Sequence, residues 1–595
     1  MEHERTDYLR DFSTDARVLF LVGLALVIGA AGAGAAAVLL WLIELITNVA
    51  YTGQLDGGLA TPAGNHLGAF ALFVPAAGGL IIGFMARFGS EKIRGHGIPE
   101  AIEAILIGGS RIQPKVALLK PISSAISIGT GGPFGAEGPI IMTGGALGSL
   151  IAQFFELSSA ERKTLLVAGA AAGMSATFAT PVAAVLIAVE LLLFEWKPRS
   201  FIPVAAASAV AAALRPFLIG AGPLFPVTAH LALPWWGLLA CVASGIVAGL
   251  ASGLLTALVY GSEDLFQRLP IHWMWWPVLG GLIVGLGGLI EPRALGVGYD
   301  IIREMLQHGI VLKALLVLLV VKAVIWAVAL GSGTSGGVLA PLLIIGGALG
   351  ALEAPLMPVG DSRFWAMLGM AAMMGGTMRS PLTALVFTLE LTHDTGALLP
   401  LLIACSSAFA VTVLLLKRSI LTEKLARRGQ HVNREYVVDP FEIARVGDVM
   451  VRKVDTLPAR MRIEDAVRTF TEEAKRHKSY PILTEDGRVL GMASRADALR
   501  WLMRGWEPGT TLADVARDSA PLVGHADELV GQLADRMAAQ DIGRVPIVDR
   551  QRGTLVGIVS RKDLLQVRAH MRAQERERQP LLRLARSGER PARRD

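Results

Sequence analysis

"GGPFGAEGPIIMTGGALG", residues 131–148, carries one charge, Glu137, and no other ionisable group lies between Pro121 and Phe155. Apolar sequence continues on both sides. A carboxylate at bilayer depth costs ~2.5–3.5 kcal/mol on insertion scales, so a lone acid between glycines and a proline needs a task.

The surroundings set the class. Hydrophobic residues make up 53% of the 595, and charged residues 18%, below the roughly 25% of soluble domains. Mean hydropathy is +0.51. Apolar segments run almost without break from residue 18 to about 416, whereas about 440–570 has a soluble composition. This predicts a polytopic membrane domain followed by a water-soluble one. The opening MEHERTDYLRDFSTDAR is polar, and the apolar run behind it is too long for a signal-peptide core, so no cleaved signal is expected. Cys241 and Cys405 lie inside apolar segments as small hydrophobes and suggest no disulfide. The net charge of +6 comes largely from an Arg-rich tail at 568–594. It reads as a solvated tail, with attraction to anionic lipid the lesser reading. No basic and aromatic surface accompanies it, which argues against nucleic acid as a partner.

Working outward from Glu137, the chain repeats itself. GAEGP (Gly135 to Pro139) is followed by GGALG (Gly144 to Gly148), and GVLAP (Gly337 to Pro341) by GGALG (Gly346 to Gly350). PVAAVLIAVE (Pro181 to Glu190) pairs likewise with PLTALVFTLE (Pro381 to Glu390), so the offsets are about 202 and 200 residues. This is a duplication. Apolar segments at 98–107, 137–153, 181–194 and 338–357 fall near or below the ~20 residues a straight span needs, and Gly or Pro interrupts them. Short broken helices at matching places in two halves point to a transport site. The plainer reading is that small residues only let helices pack closely.

Helix starts expose free N–H groups and the positive end of the dipole, and therefore suit anions. Three candidate starts are GHGIP (Gly95, His96, Gly97, Ile98, Pro99), GAEGP (Gly135, Ala136, Glu137, Gly138, Pro139) and GVLAP (Gly337, Val338, Leu339, Ala340, Pro341). None carries a fixed cation, and partial charges bind an anion without trapping it. No metal-ligand set is read.

Taken together, the three strips resemble the CLC family of chloride channels and chloride/proton exchangers, whose patterns are GSGIP, G(K/R)EGP and GxFxP in this order. The resemblance implies a homodimer in the lipid bilayer with one pore per subunit, each built from inverted halves. It makes Glu137 the gating glutamate, whose carboxylate mimics an anion in the outer site and leaves when protonated or displaced. Burial and the helix dipole pull its protonation in opposite directions, which suits a gate. The competing structural reading pairs Glu137 with Lys120. By resemblance Lys120 instead adds positive potential to the pathway, and the N–H groups of Val338 and Leu339 line a central site.

The departures carry information. His96 replaces the usual serine, and would either make conduction pH-dependent or narrow the inner mouth. Leu421, in RSIL (Arg418 to Leu421), replaces the central-site tyrosine and has no hydroxyl, implying a looser inner gate. Ala136 removes a cation near the outer site, and Leu339 replaces a phenylalanine. Exchangers of the family usually carry an inner proton-relay glutamate. Alignment on Pro181 places Leu191 there with Glu190 just before it, about 100° away around a helix. This favours channel-like passive conduction gated by Glu137, with chloride/proton antiport as the alternative.

In the soluble part, PILTEDGRVLGMASRAD (Pro481 to Asp497) matches PIVDRQRGTLVGIVSRKD (Pro546 to Asp563). Each copy reads strand, turn, strand, then SRxD opening a helix. The pair resembles tandem CBS domains beginning at VGDVM (446–450), a fold that often binds ATP, ADP or AMP. Ser494, Asp497, Ser560 and Asp563 are the candidate nucleotide residues, with helix capping as the plain alternative. CBS pairs are cytoplasmic, and Lys417 and Arg418 just after the last span agree with a cytosolic C-terminus.

The expected architecture is an all-α polytopic membrane domain, an inverted repeat with broken helices, followed by an α/β tandem CBS domain. The expected boundaries are a cytoplasmic N-terminus at 1–16, a membrane domain at 17–430 (halves 17–222 and 232–430), a CBS region at 440–570 (446–505 and 510–568), and a basic tail at 571–595. The expected setting is a bacterial inner membrane with both termini cytoplasmic. CBS pairs also accompany magnesium transporters and intramembrane zinc proteases. HExxH is absent, which removes the protease and leaves no enzyme reading. Glu137, Glu190 and Glu390 are too few for a magnesium site. Fluoride-selective exchangers rank low because their strips differ from GAEGP. No cofactor is required beyond chloride as substrate.

Overall fold

The computed structural model describes residues 16–55, 61–106, 108–227, 233–430, 441, 444–472, 477–504, 506–507, 509–516 and 521–567. The expected cytoplasmic N-terminus, all but residue 16, and the basic tail lie outside them. The chain divides into two units, Met1–Glu435 and Tyr436–Asp595.

Among the described residues the first unit is helical and falls into two matching series. The first holds α1 (Arg17–Tyr51), α2 (Phe73–Phe84), α3 (Ile98–Leu106), α4 (Pro114–Gly129), α5 (Glu137–Ala152), α6 (Ser159–Phe178), α7 (Pro181–Ile187) and α8 (Pro198–Leu218). The second holds α9 (Gly237–Gln267), α10 (Trp276–Ile290), α11 (Tyr299–Gln307), α12 (Leu312–Gly331), α13 (Leu339–Glu353), α14 (Ser362–Met378), α15 (Pro381–Thr392) and α16 (Leu398–Leu415); α17 (Ile420–Arg427) follows. Among the described residues eight helical stretches are long and apolar enough to cross a membrane. At 1.5 Å per residue the 35-residue α1 is about 52 Å long, well beyond a ~30 Å hydrocarbon core.

The local chemistry explains the breaks. Proline stands in the first turn of α4, α7, α8, α10 and α15, where its missing N–H costs nothing. Ser158 and Glu161 form a reciprocal cap on α6, and Asp361 accepts the Phe364 N–H at the matching start of α14. The GGALG strips do serve packing: a Cβ on Gly144 would collide with the Gly169 carbonyl, and one on Gly346 with the Gly369 carbonyl. Glycine thus lets α5 lie backbone to backbone on α6, and α13 on α14.

Polar contacts between the halves are reciprocal. The Glu390 carboxylate accepts the N–H groups of Val182 (2.9 Å) and Ala183 (2.8 Å) at the start of α7. Glu190 Oε2 accepts the N–H of Thr383 (3.2 Å) and its hydroxyl (2.6 Å) at the start of α15. Each helix caps the other, the signature of a pseudo-two-fold relation. The two helices differ in one respect: α15 stays α-helical, whereas α7 loosens into a π turn over Ala188–Leu193 that contains Glu190.

In the second unit β1 (Leu457–Pro458) runs parallel to β2 (Ser479–Leu483), and β2 antiparallel to β3 (Val489–Ser494). β4 (Arg544–Val548) and β5 (Leu555–Ser560) form the second pair. Pro481 opposes Met492 and Pro546 opposes Ile558, and both pairs shift register one residue later, at Ile482/Leu483 and Ile547/Val548. The repeats exchange their leading segments. Val446 and Met450 pack in the core of the second repeat with Val545 and Val559, while Leu512 and Ala516 pack in that of the first with Tyr480 and Ile482. VGDVM therefore begins the CBS region but builds the core of the other copy.

Candidate anion pathway

The three glycine strips meet. Gly135 and Gly337 pair as antiparallel backbone, with Gly337 N–H donating to the Gly135 carbonyl at 2.9 Å and Gly135 N–H to the Gly337 carbonyl at 3.4 Å. Gly95 bridges Ser335. A Cβ on Gly138 would strike the His96 carbonyl, and one on Gly97 would come within 2.7 Å of the Gly138 carbonyl. Gly95 and Gly97 have φ of +84° and +90°, a backbone that side chains disfavour, so the loop before α3 needs both glycines.

Glu137 is fully buried at the first position of α5. Its Oε1 accepts the Leu339 N–H at the start of α13, and the Ala340 N–H also reaches the carboxylate. Oε2 is buried without a partner. The carboxylate therefore lies between two helix starts, within reach of its own N–H at the start of α5 and of the N–H groups that open α13. Leu339, one of the two residues expected to line the central site, is among the donors it meets. The tight Gly135–Gly337 pairing brings one helix start within reach of the other's side chain.

Lys120, 1% exposed, is not the partner of Glu137. Its Nζ donates to the carbonyls of Ile93 (2.8 Å) and Gly95 (2.7 Å), holding the loop that leads into α3. Lys322 does the same in the second half, donating to Ala294 (2.8 Å) and Gly296 (3.0 Å) ahead of α11. Sequence reading missed Lys322. The same offset of about 202 residues that joins Gly135 to Gly337 would have found it.

His96 is 3% exposed, and its Nδ1 has no hydrogen-bond partner. It borders a cavity of about 610 Å³ shared with Gly95, Glu100, Tyr260 and Lys424. Ile98, Ala136, Val338 and Leu421 are all buried. Ile98 and Pro99 begin α3, Gly138 is the second residue of α5, and Leu421 lies on α17, where Tyr260 Oη donates to the neighbouring Ile420 carbonyl at 2.5 Å. Leu191 is buried in the π turn. In the second unit Asp497 Oδ2 accepts from Ser494 N–H (2.8 Å) and hydroxyl (2.5 Å), and Asp563 Oδ2 from Ser560 N–H (2.8 Å) and hydroxyl (2.7 Å). Both pairs cap helices here.

The profile described as voltage gated chloride channel matches residues 78–413. The chain belongs to the CLC family. It is a multi-pass membrane protein, and chloride transport is the family's activity. CBS domain profiles match residues 446–504 and 510–570. The chain is 32% identical over 361 residues to the H(+)/Cl(-) exchange transporter ClcA of Salmonella arizonae, covering 58% of this chain and 76% of that protein. Among solved structures, that of a slow cyanobacterial Cl-/H+ antiporter superposes with a TM-score of 0.60 at 23% identity, over 70% of this chain and 99% of the other. A eukaryotic CLC transporter superposes with a TM-score of 0.56 at 20% identity, over 92% and 98%. Family membership removes the magnesium transporter, and the geometry agrees: Glu190 and Glu390 are engaged at opposite helix starts and do not converge with Glu137.

Proposed function

We propose that this chain exchanges chloride for protons across the cell membrane, and that Glu137 both competes with chloride and carries the proton. The observation behind this is the buried carboxylate on the Leu339 N–H. Chloride and a carboxylate cannot hold that donor together, whereas a protonated carboxyl can give it up. The relatives at 32% identity are named exchangers, which supports coupling over the channel-like conduction expected from the sequence. Passive conduction is the second reading, favoured by the buried Leu191 at the relay position.

The active unit in this reading is a homodimer with a pore in each subunit, in a bacterial inner membrane with both termini in the cytoplasm. The CBS pair would bind an adenine nucleotide through Asp497 and Asp563 once their serine caps open. Chloride-loaded liposomes test the exchange. With the voltage held near zero by valinomycin, chloride efflux should drive proton uptake against a gradient. Efflux with no coupled proton movement would leave passive conduction as the function.

A further inference from the structure

Leu421 cannot offer a hydroxyl to an anion, but one turn further along the same helix Lys424 places a cation at the mouth of the pathway. Lys424 Nζ lies 2.7 Å from Glu100 Oε1, and a Cβ added to Gly95 would collide with that ammonium. Glu100 Oε2 in turn accepts the Gly97 N–H at 3.0 Å. A carboxylate thus occupies a donor at the start of α3 that suits an anion, as Glu137 occupies one at the start of α13. The difference is that a movable cation accompanies this one. His96 Nδ1, buried and unpartnered, borders the same cavity.

We propose that Lys424 is an anion-binding side chain of the vestibule, sharing its ammonium between Glu100 and a chloride that the His96 imidazole also meets. This rests on the chloride-transport reading. The ammonium carries three donors, so it can keep one on Glu100 while offering another to the ion. Arg428 stands 3.5 Å from Glu100 Oε1 and 2.5 Å from Glu103 Oε2, so Glu100 stays compensated when Lys424 turns toward the cavity. The other cations lining the cavity besides Arg428 are Lys92 and Arg111, both exposed to solvent, and Arg94, stacked 4.5 Å from the Trp273 ring; Lys120 nearby is engaged on the Ile93 and Gly95 carbonyls. The small ammonium of Lys424 is therefore the group best placed to follow an ion. In this chain a charged side chain takes over the work of the missing hydroxyl.

The test is chloride titration calorimetry on the full-length protein, comparing wild type with Lys424→Met, Lys424→Arg and Glu100→Gln. Lys424→Met should weaken chloride binding about tenfold, the loss of one charge-assisted hydrogen bond. Lys424→Arg should stay within about threefold of wild type, and Glu100→Gln, which frees the ammonium, should bind chloride more tightly. If Lys424 only pins α17 to α3, removing either partner would act alike. Affinity that falls or stays level in both variants therefore overturns the proposal. Should Lys424→Met fail to fold, the sign of the Glu100→Gln change decides. A wild type that transports chloride alongside an unaltered Lys424→Met overturns this assignment alone. A wild type that neither binds nor moves chloride overturns the transport reading and this assignment with it.

Discussion

The two halves of the membrane unit agree in their scaffold and differ in their chemistry. Lys120 and Lys322 each clamp two carbonyls ahead of a short helix, Glu190 and Glu390 cap each other's helix starts, and Gly144 and Gly346 seat equivalent helix pairs. At the position where the first half carries Glu137, the second carries Leu339, whose N–H receives that carboxylate. What is duplicated holds the shape, and the buried acid is not duplicated. The π turn at Ala188–Leu193, present in one half only, is a second such departure.

That division can be broken by substitution. The largest effect should come from Glu137→Gln, which removes the unduplicated acid: proton coupling should vanish and chloride flux should lose its pH dependence, read by simultaneous chloride and pH recording in liposomes. Next are the lysines. Lys120→Met and Lys322→Met each orphan two buried carbonyls at ~1–3 kcal/mol apiece, so both should lower the thermal unfolding midpoint in detergent by comparable amounts. Only Lys120→Met should also slow chloride flux, because only its loop carries His96. Gly144→Ala and Gly346→Ala should each destabilise by about 1–3 kcal/mol, since the added methyl meets a backbone carbonyl that cannot step aside. The smallest effect belongs to the helix caps. Glu190→Ala and Glu390→Ala should each cost ~0.5–2 kcal/mol and leave proton coupling intact. A Glu190→Ala protein that lost coupling would place that residue on the proton route after all.

The duplication, the three Gly–Pro helix starts and the isolated acid are legible in the sequence, because strips that recur at a fixed spacing and a lone charge in apolar sequence stand out. The partners of buried charges could not. Lys120 reads as a source of potential or a mate for Glu137, yet its partners are backbone carbonyls, and carbonyls leave no trace in a sequence. Helix geometry says only that Glu190 points away from the relay position; its engagement with Thr383 depends on two segments about 200 residues apart folding around a pseudo-two-fold axis. The exchange of VGDVM between the CBS copies was hidden for a related reason, since two repeats of the same fold offer two similar cores for one segment. Nothing in EKLARR sets Lys424 apart from its neighbouring bases; its place beside Glu100 comes from α17 lying against α3.

The central claim is that the Glu137 carboxylate stands where an anion would stand, on the N–H groups that open α13. Anomalous diffraction from bromide-soaked crystals tests it most directly, comparing wild type with Glu137→Ala. The account predicts a bromide peak at the Leu339 and Ala340 N–H groups in the variant and none there in wild type. A variant with that position still empty, while bromide binds elsewhere in the pathway, would contradict it.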